Sequence, residues 1–420
     1  MRSVLIITAL LMFAACQSSN SSSSAEMDKE PSGPLAIVVE AESFTASSKP
    51  FLTISQSPVF VRMDSAGWLA FDVEVPVSGR YRTEVFASAG SQGSVARIED
   101  FYDNTDGRFY DVSGAITVPV DPGFVSGYVD GSPLKKGVHR MKLHLSAEAG
   151  VDKMVFTLLK ERQETPKVFT QNMEGDSWET VWADEFEGES LDTTKWTYAI
   201  GNWGWGNNEL QYYTANDPAN ARLEDGKLII EARKSPQDGS WTSARLTTRE
   251  KETFLYGKIE FRAQVPREKG NWAAGWTLGD AYVDESSWPY CGEIDILESV
   301  GYEVNDETGD GIAHATVHTP AYYFKINNQI SSVKEVPGIA NDFHTYSVIW
   351  TPTEIKGYVD DIHYYTYDKN ANEREWPFNQ PQNIILNLAM GGGWGGAQGM
   401  DTTVTSQLFI VDYVRVSQLH

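Results

Sequence analysis

Cysteine is nearly absent: Cys16 and Cys291 are the whole supply in 420 residues. Two cysteines cannot make the disulfide framework of a small secreted scaffold, so stability has to come from an apolar core. Histidine is also scarce, 7 in all, and no Cys/His set stands at metal-ligand spacing, so no transition-metal site and no catalytic cofactor is expected. Basic charge is short as well. The 34 Lys and Arg face 58 Asp and Glu, a net charge of −24, and such a field repels polyphosphates, which excludes nucleic acid as an expected partner. Long helical periodicity is missing, and the single apolar run, at the N-terminus, falls short of the about 20 residues that span a bilayer.

What that run does resemble is a leader. MRSVLIITALLMFAAC places Arg2 before apolar residues and small residues before Cys16, the order of a secretory signal. It is similar to a bacterial lipoprotein signal, 1–15, with Cys16 as the lipidated residue, although Phe13 stands where such signals usually have Leu; a plain signal peptide is the alternative. The polar residues that follow, with SSNSSSS inside 16–35, suit a flexible tether. The resemblance implies a secreted, lipid-anchored monomer, held at the outer membrane or cell surface and touching the membrane only through its lipid. Gln17, where retention at the inner membrane is associated with Asp, favours the outer one.

Tryptophan divides the rest. Twelve of the 13 Trp lie at or beyond Trp178 and only Trp68 before it, a step that implies two domains with different tasks. Residues 36–160 carry short alternating segments (AIVVEAESF, WLAFDVEV, YRTEVFAS, HRMKLHLS, KMVFTLLK) punctuated by Gly, Pro and Ser, as in a β-sandwich. Residues 161–177 are polar and contain Pro, as a linker does. From 178 to 420 strand candidates follow again, among them KLIIEARK, YGKIEFRAQV, CGEIDILES, HTYSVIWTP and LFIVDYVRV. The fold class expected is all-β, two domains in series.

The chemistry is concentrated in GEIDILES. Alternation along a strand puts Glu293 and Asp295 on one face and Glu298 on the other. A β-bulge around Ile296 and Leu297 would return Glu298 to the face of the other two. Three carboxylates on one face repel one another, which raises a proton affinity into the range of acid catalysis. Two acids on one strand should stand roughly 5 Å apart, the separation that serves a covalent glycosyl-enzyme and retention of configuration.

GEIDILE resembles the signature of glycoside hydrolase family 16 in the bulged form of its laminarinases, and other segments extend the likeness over about 178–418: GNWGWGNNELQYYT, WPYCGEIDILES, HATVHTP, DFHTYSVIWTP and WPFNQPQNIILNLAMGGGWGG. The resemblance implies a β-jelly-roll catalytic domain with a concave cleft and an endo-acting, retaining glucanase. Its substrate would be β-1,3-glucan (laminarin), with mixed β-1,3-1,4-glucan as a second candidate. Carried over position by position, Glu293 matches the nucleophile, Glu298 the acid/base and Asp295 the residue between that orients and modulates the nucleophile. Sugar rings stack their CH faces on aromatics; by resemblance Asn202, Trp203, Trp272, Trp276 and Trp288 are subsite candidates, with Arg245 and His318 as hydrogen-bonding ones. Each Trp could instead be core. Ala273 and Thr277, where the family often has Pro and Met, and HTPAYYFK after His318 depart from its pattern and bear on fine specificity. A silent surface glycan-binding protein, a transglycosylase and a galactan-cleaving member of the family are the alternatives.

The N-terminal region resembles a family 6 carbohydrate-binding module. That likeness implies a structural Ca²⁺ at Glu40, Glu42 and Asp152, and the catalytic-domain likeness a second at Asp412, oxygen ligands suiting a hard cation; solvated or salt-bridged acids are the alternative at both places.

Overall fold

The computed structural model describes residues 34–49, 53–56, 58–90, 93–101, 109–118, 120, 123–369 and 372–420. Cys16, with the leader and most of the tether, lies outside the described residues. The described chain is all-β, its only helical pieces being single 3₁₀ turns such as Gly204–Gly206 and Glu285–Ser287.

Residues 36–161 form two six-stranded sheets. One runs Val125–Leu134, Gly79–Ala89, Ala149–Glu161, Val59–Met63, Thr53–Gln56, with Ala36–Glu40 also on Ala149–Glu161; the other is centred on Gly67–Val75, Gly137–Leu145 and Ser94–Asp100. Alternation explains the sandwich. Along Gly79–Ala89 every second residue is buried, and the inward side chains Tyr81, Val85 and Ala87 meet Phe71, Met141 and Phe156 in one core.

Two larger sheets follow. The nine-stranded sheet carries Gln382–Met390, Asn271–Gly279, Glu293–Val300 and Gly311–His318 side by side, and the ten-stranded sheet packs behind it around Ser406–Leu419, Gly257–Gln264 and His344–Trp350. Their shared core includes Phe261, Ile294, Leu297, Trp350, Leu386 and Val414. The stretch read as linker is itself structured: Lys167–Thr170 pairs in parallel with Glu252–Leu255 and so joins the nine-stranded sheet. The central strand Gln382–Met390 is buried along its whole length because the core covers one face and the aromatic cleft side chains cover the other.

Candidate active site

Ile294, Ile296 and Leu297 all belong to the apolar core. Two consecutive inward residues are possible only if the strand slips by one, and the pairing shows the slip. On one neighbour Asp295 faces Trp276 while Leu297 already faces Gly275. On the other Asp295 faces Thr316 and Glu298 faces His314, three steps against two. The bulge lies at Ile296 and Leu297, where the alternation requires it, and Glu293, Asp295 and Glu298 leave the strand on the same side.

Each acid has its own surroundings. Trp288 donates its indole N–H to Glu293 Oε2 at 2.9 Å, and Trp272 donates to Glu298 Oε1 at 3.1 Å. Asp295 is buried with no hydrogen-bond partner on Oδ2. His318 Nε2 stands 3.5 Å from Asp295 Oδ2 and 3.7 Å from Glu293 Oε1, its ring against Trp288 and Phe324. Burial pushes the Glu293 carboxyl above its ordinary range, opposed by the Trp288 N–H and the positive charges of Arg245 and Lys325. Burial and then the charge of Glu293 raise Glu298, opposed only by the Trp272 N–H. Burial and both glutamates raise Asp295 well above its ordinary range. Burial lowers His318 to about 3, so its imidazole is neutral. Of the three, Glu293 is the one whose burial is opposed by positive charges as well as by a hydrogen bond.

Among the described residues, Glu293, Asp295 and His318 are the three whose potential ligand atoms fall within 4.8 Å of one another. The Trp288 donor is on Glu293 Oε2, while Oε1 is the oxygen that faces His318.

The remaining expected residues divide. Trp276 donates to Asn387 Oδ1 at 2.8 Å, and the Arg245 guanidinium lies between the rings of Trp205 and Trp276, 4.6 and 4.8 Å from their centroids, with Nε unpartnered. Trp272, Trp276, Trp288, Arg245 and His318 thus share one neighbourhood with the acids. Trp203 is a correction: it is 1% exposed and sits in the core of the N-terminal sandwich, which leaves no face for a sugar. Asn202 stays partly exposed, with its Oδ1 accepting from Asp130 N at 2.9 Å. The expected Ca²⁺ positions already face cations of the protein. Lys153 Nζ is 3.5 Å from Asp152 Oδ2 and its charge offsets Glu40. Arg262 Nη1 donates to Asp412 at 2.6 Å. Glu42 makes no three-acid set with Glu40 and Asp152 within 4.8 Å. Glu40 also feels the negative charges of Glu42 and Asp152.

Other residues were not anticipated. Trp394 meets Trp272 edge-on at 5.2 Å and His314 at 4.9 Å, while His314 pairs with Glu303 at 2.6 Å. Asn387 links Trp276 to the Tyr213 hydroxyl, 3.1 Å away. A lone Asn inside the apolar run IILNLAM was the available signal for Asn387, and the Trp of GGGWGG for Trp394.

Carboxylates brought to one face by a bulge, two of them under indole donors, on a sheet of a jelly-roll sandwich have the arrangement of a glycoside hydrolase. The model of glycosyl hydrolases family 16 matches residues 203–407. A β-glucanase of Rhodothermus marinus is 46% identical over 233 residues, covering 54% of this chain and 79% of its own. The X-ray structure of the laminarinase from Rhodothermus marinus, 46% identical, superposes with a TM-score of 0.53 over 58% of this chain and 98% of its own; that of the laminarinase from Flavobacterium sp. UMI-01, 38% identical, gives 0.52 over 57% and 100%. The chain belongs to glycosyl hydrolases family 16. The N-terminal sandwich lies outside the matched residues.

Proposed function

We propose that the protein is an endo-acting β-1,3-glucanase that also accepts mixed β-1,3-1,4-glucan and retains anomeric configuration. The observation that carries the reading is the bulge at Ile296–Leu297, which brings Glu293, Asp295 and Glu298 to one face beneath two indole donors. The β-glucanase and laminarinase relatives support the substrate class.

In this mechanism Glu293, the acid with the most help toward ionisation, attacks the anomeric carbon and forms a glycosyl ester. Glu298, holding its proton, delivers it to the leaving oxygen, then takes a proton from the water that cleaves the ester. Asp295, whose carboxyl is pushed upward by burial and by both glutamates, disfavours a third negative charge in the site and has the place of the residue that modulates the nucleophile in the family. His318, neutral, and Arg245, stacked on Trp276, stand beside the acids as hydrogen-bonding candidates for sugar hydroxyls. Lipid at Cys16 would hold the enzyme at the cell surface, as the leader suggests; Cys16→Ser should then release it into the soluble fraction.

Reducing-end release from laminarin, lichenan, agarose and carrageenan, with Glu293→Gln as control, tests the reading, and NMR of the first-formed anomer tests retention. Cleavage confined to a galactan would overturn the substrate; binding of glucan without cleavage would overturn the enzyme.

A further inference from the structure

Beside a second contact around Tyr282–Glu285, the two sandwiches meet at the segment 201–213, and there they meet backbone to backbone. A β-carbon on Gly131 of the N-terminal sandwich would lie 2.2 Å from the carbonyl oxygen of Ile200, and one on Gly201 would lie 2.0 Å from that of Asp130; both glycines have positive φ, +89° and +129°. No other residue type fits this approach without displacing a main chain. Asp130 is the joint. Its main chain exchanges two hydrogen bonds with Asn202, 2.9 and 3.0 Å, and its buried carboxylate accepts two from Arg82, 2.7 and 3.0 Å, and one from the Tyr212 hydroxyl at 3.2 Å. The bridge between the sandwiches is fixed too: Arg162 and Thr165 both bond Asp280, each at 2.8 Å.

The far side of the same segment faces the acids. Trp205 and Tyr213, packed into the N-terminal core, are respectively one face of the Arg245 stack and the hydroxyl that receives Asn387, which in turn holds Trp276. The chain of contact runs Asp130, Tyr212 and Asn202, Trp205 and Tyr213, then Arg245 and Trp276, with the Arg245 charge acting on Glu293. An N-terminal domain that merely tethered the enzyme to polymer would need none of this.

We propose that the N-terminal sandwich is a positioning element of the active site: through Asp130 it fixes 201–213, and through Trp205 and Tyr213 that segment holds Arg245 and Trp276 against the substrate and the nucleophile. Asp130 is a positioning residue; it touches no reacting atom. The kinetic consequence rests on the function proposed above.

The test uses the full chain with Asp130→Ala and, because that variant risks misfolding, Tyr212→Phe, which removes one hydroxyl. Turnover of a short soluble β-1,3-gluco-oligosaccharide is measured across pH, together with the calorimetric unfolding profile. Asp130→Ala should lower kcat/KM roughly tenfold, as displaced positioning groups do, and Tyr212→Phe should move it the same way by less. The acid limb should shift to higher pH, since Glu293 would lose the help of Arg245 while Glu285, Asp295, Glu298, His318 and Lys325 stay around it. Kinetics within about twofold of wild type in every variant that folds, with an unmoved acid limb, would overturn the proposal; if Asp130→Ala does not fold, Tyr212→Phe decides. If the wild type cleaves no β-glucan, the functional reading has failed instead, and calorimetry decides: one transition for 36–420 in the wild type that splits in the variants supports the fixed joint, and two transitions in the wild type overturn it.

Discussion

Trp272 donates its indole N–H to Oε1 of Glu298 at 3.1 Å, and this is the one hydrogen bond that favours the ionised form of that carboxyl. Replacing Trp272 with Phe keeps a ring against Trp394 and removes the donor. Glu298 should then hold its proton to higher pH, and because the enzyme needs that proton to expel the leaving group, the basic limb of the kcat/KM profile should move upward. A limb that stays in place would mean that another group sets it.

The two glutamates should fail differently. Glu298→Gln removes proton delivery, a loss of about 10²–10⁴ on unactivated glucan, and most of that loss should vanish with an aryl glycoside whose leaving group departs without a proton. Glu293→Gln removes the attacking oxygen and should be inactive on both. Single-turnover assays on the two substrates make the distinction; recovery in Glu293→Gln but not in Glu298→Gln would reverse the assignment of roles.

Stability should carry the imprint of the crowded acids. Their carboxyls have folded-state proton affinities raised by burial and mutual charge. A raised carboxyl favours the folded state fully below its ordinary pKa of about 4.3, and that contribution is lost as pH climbs through the raised value, because the folded chain must then ionise a buried group. Glu298→Gln should therefore raise Tm relative to wild type at pH 8 and have little effect at pH 4. Melting at the two pH values checks the sign, and a variant less stable than wild type at pH 8 would contradict it.

How far the site can be read from sequence depends on what the residue pattern encodes. The slip at Ile296–Leu297 is legible because core burial forces apolar residues inward, and a strict alternation would have sent Glu298 into the core. The two-sandwich architecture is legible for the same reason, as in Gly79–Ala89. What covers a tryptophan is not: Trp203 and Trp272 sit in equally aromatic, glycine-bearing stretches, and only the docking of a distant segment, Val125–Leu134, sends one into a core and leaves the other by an acid. Charge pairing is equally non-local, since Arg262, 150 residues away, decides what Asp412 does.

Trp203 and Trp272 accordingly give a contrast that tests the joint and the cleft together. Trp203 is 1% exposed among N-terminal core residues, so Trp203→Ala opens a cavity at the junction and should cost about 3–5 kcal/mol. Trp272 is half-buried beside Glu298 and Trp394, so Trp272→Ala should leave Tm nearly unchanged and raise KM for laminarin by removing a stacking face. Denaturant unfolding and steady-state kinetics on both variants separate the two roles. If Trp203→Ala raised KM with its stability intact, Trp203 would be a sugar contact after all, and the N-terminal sandwich would have to yield at that point when glucan binds.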